Sequence, residues 1–129
     1  MKTFKVLVAD ADKDFLETIV QHLKSSDLEV STVDHGKAAL QLMNSQDFDV
    51  VILEEHLPDL AGIEILNALK KNKPLTEVIM LTGEGSVESS AQAMQLGAFD
   101  YIMKPVPLDE LFDKMRQAHQ RKLIQEGMW

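Results

Sequence analysis

Asp10, Glu54, Thr82 and Lys104 each stand where a short apolar run ends. The runs are Val6-Leu7-Val8-Ala9, Val50-Val51-Ile52-Leu53, Val78-Ile79-Met80-Leu81 and Tyr101-Ile102-Met103. Two acids, a hydroxyl and an ammonium gathered in one crevice suit recognition of a phosphoryl group, which calls for charge-assisted hydrogen bonds and a cation. Each residue taken singly has a plainer role. Asp10 stops a strand, Asp12 caps a helix, and Thr82 satisfies backbone groups at a strand end. Lys104 is then an exposed lysine, and Glu54 and Glu55 are solvated loop acids. The chemical reading rests on convergence, because all four candidates fall at the same end of their runs.

Such convergence needs elements that deliver it. After Asp12, the spacing of Phe15, Leu16, Ile19, Val20 and Leu23 is helical. Leu28 to Val33 reads as a weaker, partly polar strand, and Lys37 to Met43 as a short helix after Gly36. The continuously apolar Val50–Leu53 run is expected for a strand covered on both faces. Ile63, Leu66 and Leu69 mark a helix that ends before Pro74. Val87, Ala91 and Met94 mark another, which Gly97 can terminate. Leu108, Leu111, Phe112 and Met115 begin a final helix reaching about residue 125. Strict strand–helix alternation predicts an α/β fold, a doubly wound parallel sheet with right-handed crossovers. Ligand chemistry in such a sheet lies outside the carboxyl ends of the strands.

A chain of 129 residues that is 45% hydrophobic is the size of one domain with one core. Its formal charge of −8 argues against direct binding to nucleic acid or to acidic membranes. Without cysteine it has no thiolate or disulfide chemistry, which fits a reducing compartment. The opening MKTFKVLVADAD meets Asp10 too soon for a signal or membrane segment, so a cytoplasmic location is expected. His22, His35, His56 and His119 lack metal-ligand spacing. There is no GxGxxG or Walker lysine motif, and Glu84 in Thr82-Gly83-Glu84-Gly85 would repel a phosphate, so a nucleotide binder is disfavoured.

The stretch MLTGEGSVESSAQAMQLGAFDYIMKPV resembles the second half of a bacterial response-regulator receiver domain. VLVADADKDFLETIVQHL resembles its first strand and helix, and DVVILEEHLPDLAGIEIL its central strand and loop. LGAFDYIMKP is the most specific of these. The resemblance covers roughly residues 4 to 122. It implies a single domain over 1–129 with the flavodoxin-like five-stranded (βα)5 receiver fold, strand order 2-1-3-4-5, and a tail at 123–129 that can lead to an output domain. In such receivers an aspartate takes a phosphoryl group from a histidine kinase with bound Mg²⁺. By motif, Glu54 occupies the acceptor position. Asp10 and Ala11 occupy the acidic pair, and the backbone carbonyl of His56 is the third metal contact. Thr82 and Lys104 match the phosphoryl-recognition hydroxyl and ammonium, Tyr101 matches the switch aromatic, and Pro105 follows a typically cis bond.

Two departures carry consequences. Mg²⁺ wants near-octahedral oxygen ligands, and Ala11 supplies none. Glu54 carries its carboxylate roughly 1.5 Å further out than aspartate. In-line transfer is mostly positioning, so a shift of about 1 Å costs on the order of a hundredfold. A direct Glu54–Lys104 ion pair in a metal-free crevice is the expected arrangement. Glu54 imitates a phosphorylated aspartate only in part, with one charge against about −1.5 to −2.

The expectation is therefore a non-enzymatic two-component signalling domain that lacks standard phosphorylation and works by protein contact. No cofactor is expected, at most weak Mg²⁺ binding at Asp10, Glu54 and His56. The alternative is a residual Mg²⁺-dependent phosphoryl acceptor with slow self-dephosphorylation, in which Asp10 or Asp12 rescues the metal. The resemblance places partner contact on Ser86–Met94, Tyr101–Met103 and Leu108–Leu123. It leaves open a histidine kinase, a fused output domain and a homodimer. Lys114, Arg116, Arg121 and Lys122 read as basic residues on the wet face of the last helix. Leu123-Ile124 and Met128-Trp129 add an apolar end.

Overall fold

The computed structural model describes residues 4–23 and 28–127; Met128 and Trp129 lie outside the described residues. Five strands alternate with five helices: β1 Phe4–Ala9, α1 Lys13–Leu23, β2 Leu28–Val33, α2 Gly36–Ser45, β3 Val50–Glu54, α3 Gly62–Asn72, β4 Glu77–Thr82, α4 Val87–Gln95, β5 Asp100–Met103 and α5 Leu108–Gln125. All neighbouring strands are parallel, in the order β2-β1-β3-β4-β5. This is the flavodoxin-like arrangement expected. Among the described residues no helix is long and apolar enough to cross a membrane.

The apolar runs become the three central strands because the sheet is covered on both faces. Leu7, Val51, Leu53, Val78 and Met80 meet α2, α3 and α4 on one face. Val6, Val8, Val50, Ile52, Ile79 and Leu81 meet α1 and α5 on the other. Each large aliphatic side chain fully buried in these layers contributes about 1.5–3 kcal/mol. The ordered core brings the carboxyl ends of β1, β3, β4 and β5 together at one edge.

Three orientations differ from those the periodicity suggested. Val20 of α1 is partly exposed rather than in the core. In α4 the stripe Val87–Ala91–Met94 faces outward, with Val87 87% and Met94 45% exposed, and Ala93 takes the buried place. Spacing shows which residues share a face, and the small side chain of Ala93 is the one the close approach to the sheet admits.

The basic residues of α5 are the third case. Arg121 pairs with Glu77 through two bonds, from Nε and Nη2 on one edge of its guanidinium, and Lys122 lies 3.2 Å from Asp49 and Lys114 2.9 Å from Asp100. Acids at the entrances of β3, β4 and β5 thus meet three of the four cations of α5, which are only partly wet, while Arg116 stays on the exposed face as expected. Glu77 is fully buried, and an unpaired charge there would cost several kcal/mol. Lys70 of α3 approaches it to 3.6 Å from another side.

Candidate functional site

Asp10 follows β1 directly, its N–H donating to Val33 O at 3.0 Å, and it is only 2% exposed. Its Oδ1 accepts the Asp12 N–H at 2.9 Å, and Asp12 Oδ1 in turn accepts the Phe15 N–H at 3.1 Å. Asp12 is therefore the exposed N-cap of α1, as its type and position allow. Glu54 closes β3 and is 8% exposed. The backbone of the loop after β3 is pinned, with Glu55 N–H on Leu81 O at 3.0 Å and Gly62 N–H on Glu55 O at 2.8 Å.

Lys104 joins the two acids. Its Nζ lies 2.7 Å from Asp10 Oδ2 and 3.3 Å from Glu54 Oε1, and 4.7 Å from the centroid of the Phe15 ring. Its backbone N–H donates to Thr82 O at 2.7 Å, and its peptide bond to Pro105 is cis. Glu54 Oε2 accepts the His56 N–H at 3.1 Å. Thr82 is fully buried, and its Oγ1 accepts the Glu84 N–H at 3.1 Å. The direct Glu54–Lys104 pair is present, and the ammonium sits closer still to Asp10. Burial works against the charged Lys104, but Asp10 and then Glu54 outweigh it and hold its pKa above the ordinary 10.5.

Residues 6–116 match the response regulator receiver domain family. The chain belongs to that family. It is 32% identical to the cell cycle response regulator CtrA of Brucella abortus (strain 2308), over 95% of this chain and 56% of CtrA. It thus spans little more than half the length of the curated relatives it matches. Among solved structures it is similar to the Francisella response regulator 1452 receiver domain, at 33% identity and TM-score 0.84, covering 92% of this chain and 98% of that one. It is also similar to the CheY-like receiver domain protein of Methanospirillum hungatei JF-1, at 28% identity and TM-score 0.92, covering 96% and 99%. Receiver domains are signalling modules of two-component systems.

The receiver family implies Mg²⁺, and the oxygens present here do not fit it. Asp10 Oδ2 faces an ammonium, Ala11 has no oxygen to give, and both Glu54 oxygens have partners. Among the described residues, no group of three or more histidines and acids is placed to hold a metal ion.

Further residues of this receiver's edge were not singled out by sequence reasoning. Glu55 is buried rather than a solvated loop acid, and so is Glu54. Glu55 Oε1 accepts the Tyr101 hydroxyl at 2.8 Å, and its Oε2 lies 2.9 Å from His56 Nε2. Asp59 accepts the N–H groups of Gly36 and Lys37 at 2.6 and 3.0 Å, capping α2 from the loop before α3. Those two bonds, with Gly36 the larger, lower the Asp59 pKa from 3.8. Phe15, marked in the sequence only by its helical spacing, supplies the ring beside Lys104. Asp59 lies in the Leu-Pro-Asp of the central motif, the one signal available for it. Glu55 had none beyond its place after a strand buried throughout.

Proposed function

We propose that this receiver domain signals by protein–protein contact, without the aspartyl-phosphate cycle of its family. The observation that carries this reading is the Lys104 ammonium shared between Asp10 and Glu54. The ammonium that would otherwise pair with a phosphoryl group is already engaged by two carboxylates inside the protein. Glu54 stands at the acceptor position, its carboxylate displaced by about one bond length, and Ala11 removes a metal ligand. Since phosphoryl transfer depends on positioning and charge neutralisation, each departure works against it.

The contact face is the outward side of α4 with β5 and the exposed side of α5. Val87, Met94 and Met103 present large apolar side chains there, Met103 being 49% exposed. Within Leu108–Leu123 the residues Leu111, Phe112, Met115 and Ala118 are committed to the core, which leaves partners the residues between them. A histidine kinase, an output domain and a second copy are the partner classes this face would serve. A cytoplasmic setting goes with that role.

The test is incubation with Mg²⁺ and acetyl phosphate, quenched rapidly and analysed by intact mass. An unchanged mass supports the proposal. A gain of one phosphoryl unit that depends on Mg²⁺ overturns it and identifies a residual phosphoryl acceptor.

A further inference from the structure

Tyr101 is the aromatic that lies between the crevice and the contact face, and its hydroxyl does not point to Thr82 or to Glu54. It donates to Glu55, which belongs to the loop after β3. The backbone of Glu55 is held on both sides, by Leu81 O and by the N–H of Gly62, so the direction of its side chain is set. Its side chain is 9% exposed, and each carboxylate oxygen has one partner, Tyr101 for Oε1 and His56 Nε2 for Oε2. The same His56 nitrogen lies 3.1 Å from Glu84 O. A buried carboxylate requires donors, and these are the groups that supply them.

The β4–α4 loop is shaped to admit the phenol. A Cβ on Gly85 would lie 2.9 Å from the Tyr101 hydroxyl and would also run into Met103 Sδ. Tyr101 and Met103 in turn line an open groove of about 610 Å³ with Ser86, Val87 and Ala91. The position of the phenol therefore sets one wall of the face on which partners are proposed to dock.

We propose that Glu55 is the positioning residue for Tyr101, tying the loop after β3 to the α4–β5 groove by a carboxylate–phenol bond that needs no phosphoryl group. This deepens the reading given under Proposed function, since it names what fixes the contact face in place of a phosphorylation event. The resemblance to receivers makes Tyr101 answer to the acceptor position. The geometry makes it answer to the residue after that position. Burial, then the bond to Glu55 and its charge, raise the Tyr101 pKa above 10.0, in keeping with a phenol held against an anion. Smaller opposing contributions come from the Ser86 backbone and the Ser89 side chain.

The chain has one tyrosine, so phenolate absorbance and the ring resonances of ¹³C-labelled tyrosine both report Tyr101 alone. Wild type, Glu55→Gln, Glu55→Leu and Glu54→Gln are compared over the pH range in which far-ultraviolet circular dichroism shows each folded. Glu55→Gln keeps a carbonyl acceptor and loses the charge. It should lower the tyrosine midpoint by about half a pH unit or more while the ring resonance moves little. Glu55→Leu should lower the midpoint and also move the ring resonance. Glu54→Gln should change neither beyond a small fraction of that. If Glu55→Leu does not fold, Glu55→Gln carries the test. An unchanged midpoint in Glu55→Gln, or an equal shift in Glu54→Gln, overturns the proposal. The mass experiment reads phosphorylation of the chain and is blind to the Tyr101 midpoint, so the two proposals fail separately.

Discussion

Arg121 closes on Glu77 at the end of the sheet remote from the crevice, joining the last turns of α5 to the entrance of β4. Glu77 has no exposed surface, whereas Arg121 retains some. Replacing the arginine leaves a buried carboxylate with Lys70 at 3.6 Å as its remaining cation. Arg121→Leu should cost about 2–3 kcal/mol in urea unfolding. Arg116→Leu removes a surface pair with Asp113 at 3.4 Å and should cost less than about 0.5 kcal/mol. Equal losses in the two variants would show that the buried pair has no special weight.

The shared ammonium sets the alkaline behaviour of the fold. The pKa of Lys104 is higher in the folded chain than its ordinary 10.5. Its contribution is therefore fully present below about 10.5 and is lost as pH rises through the higher folded value. The urea midpoint of the wild type should fall in that alkaline window. In Lys104→Met the fall should be shallower, starting from a lower stability at neutral pH. A variant that tracks the wild-type curve would remove Lys104 as its source.

Two glycines near the crevice, Gly62 at the start of α3 and Gly83 after β4, should behave oppositely. A Cβ at Gly62 meets the backbone carbonyl of Glu54 and lies 2.9 Å from Glu55 Cα, neither of which yields easily. Gly83 has nothing within 4 Å. Gly62→Ala should destabilise by about 2 kcal/mol, and Gly83→Ala should stay within about 0.5 kcal/mol of wild type or gain slightly. Thermal unfolding of the pair decides this.

Only a double change should recover the chemistry of the wider family. Ala11→Asp adds an oxygen beside Asp10, and Glu54→Asp draws the second carboxylate back from Lys104. Together they should give Mg²⁺-dependent phosphorylation by acetyl phosphate, read by intact mass, while either change alone should give much less. Labelling of the single variants at the level of the pair would contradict this.

The strands were legible where burial on both faces leaves a continuous apolar run, as at Val50–Leu53 and Val78–Leu81. Asp10, Glu54, Thr82 and Lys104 were legible because a parallel sheet brings all its strand ends to one edge. Contacts between distant residues were not. Glu77 precedes an apolar run and looks like a loop acid until Arg121, 44 positions away, is placed over it. Asp59 caps a helix that begins 23 positions earlier. The outward stripe of α4 shows the limit of periodicity: Val87, Ala91 and Met94 share a face, but the sheet accepted the face carrying Ala93.

The stretch from Glu54 to Gly62 is bonded to nearly every element around it. Glu54 reaches Lys104, Glu55 reaches Tyr101 and Leu81, His56 reaches Glu84, and Asp59 reaches the start of α2. Four positions so interlaced within nine consecutive residues will show strong epistasis, and the effects of single substitutions at them will not sum to those of combinations. Evolutionary drift at any one of them is constrained by the state of the others, so ancestral residues would be tolerated here in sets rather than singly.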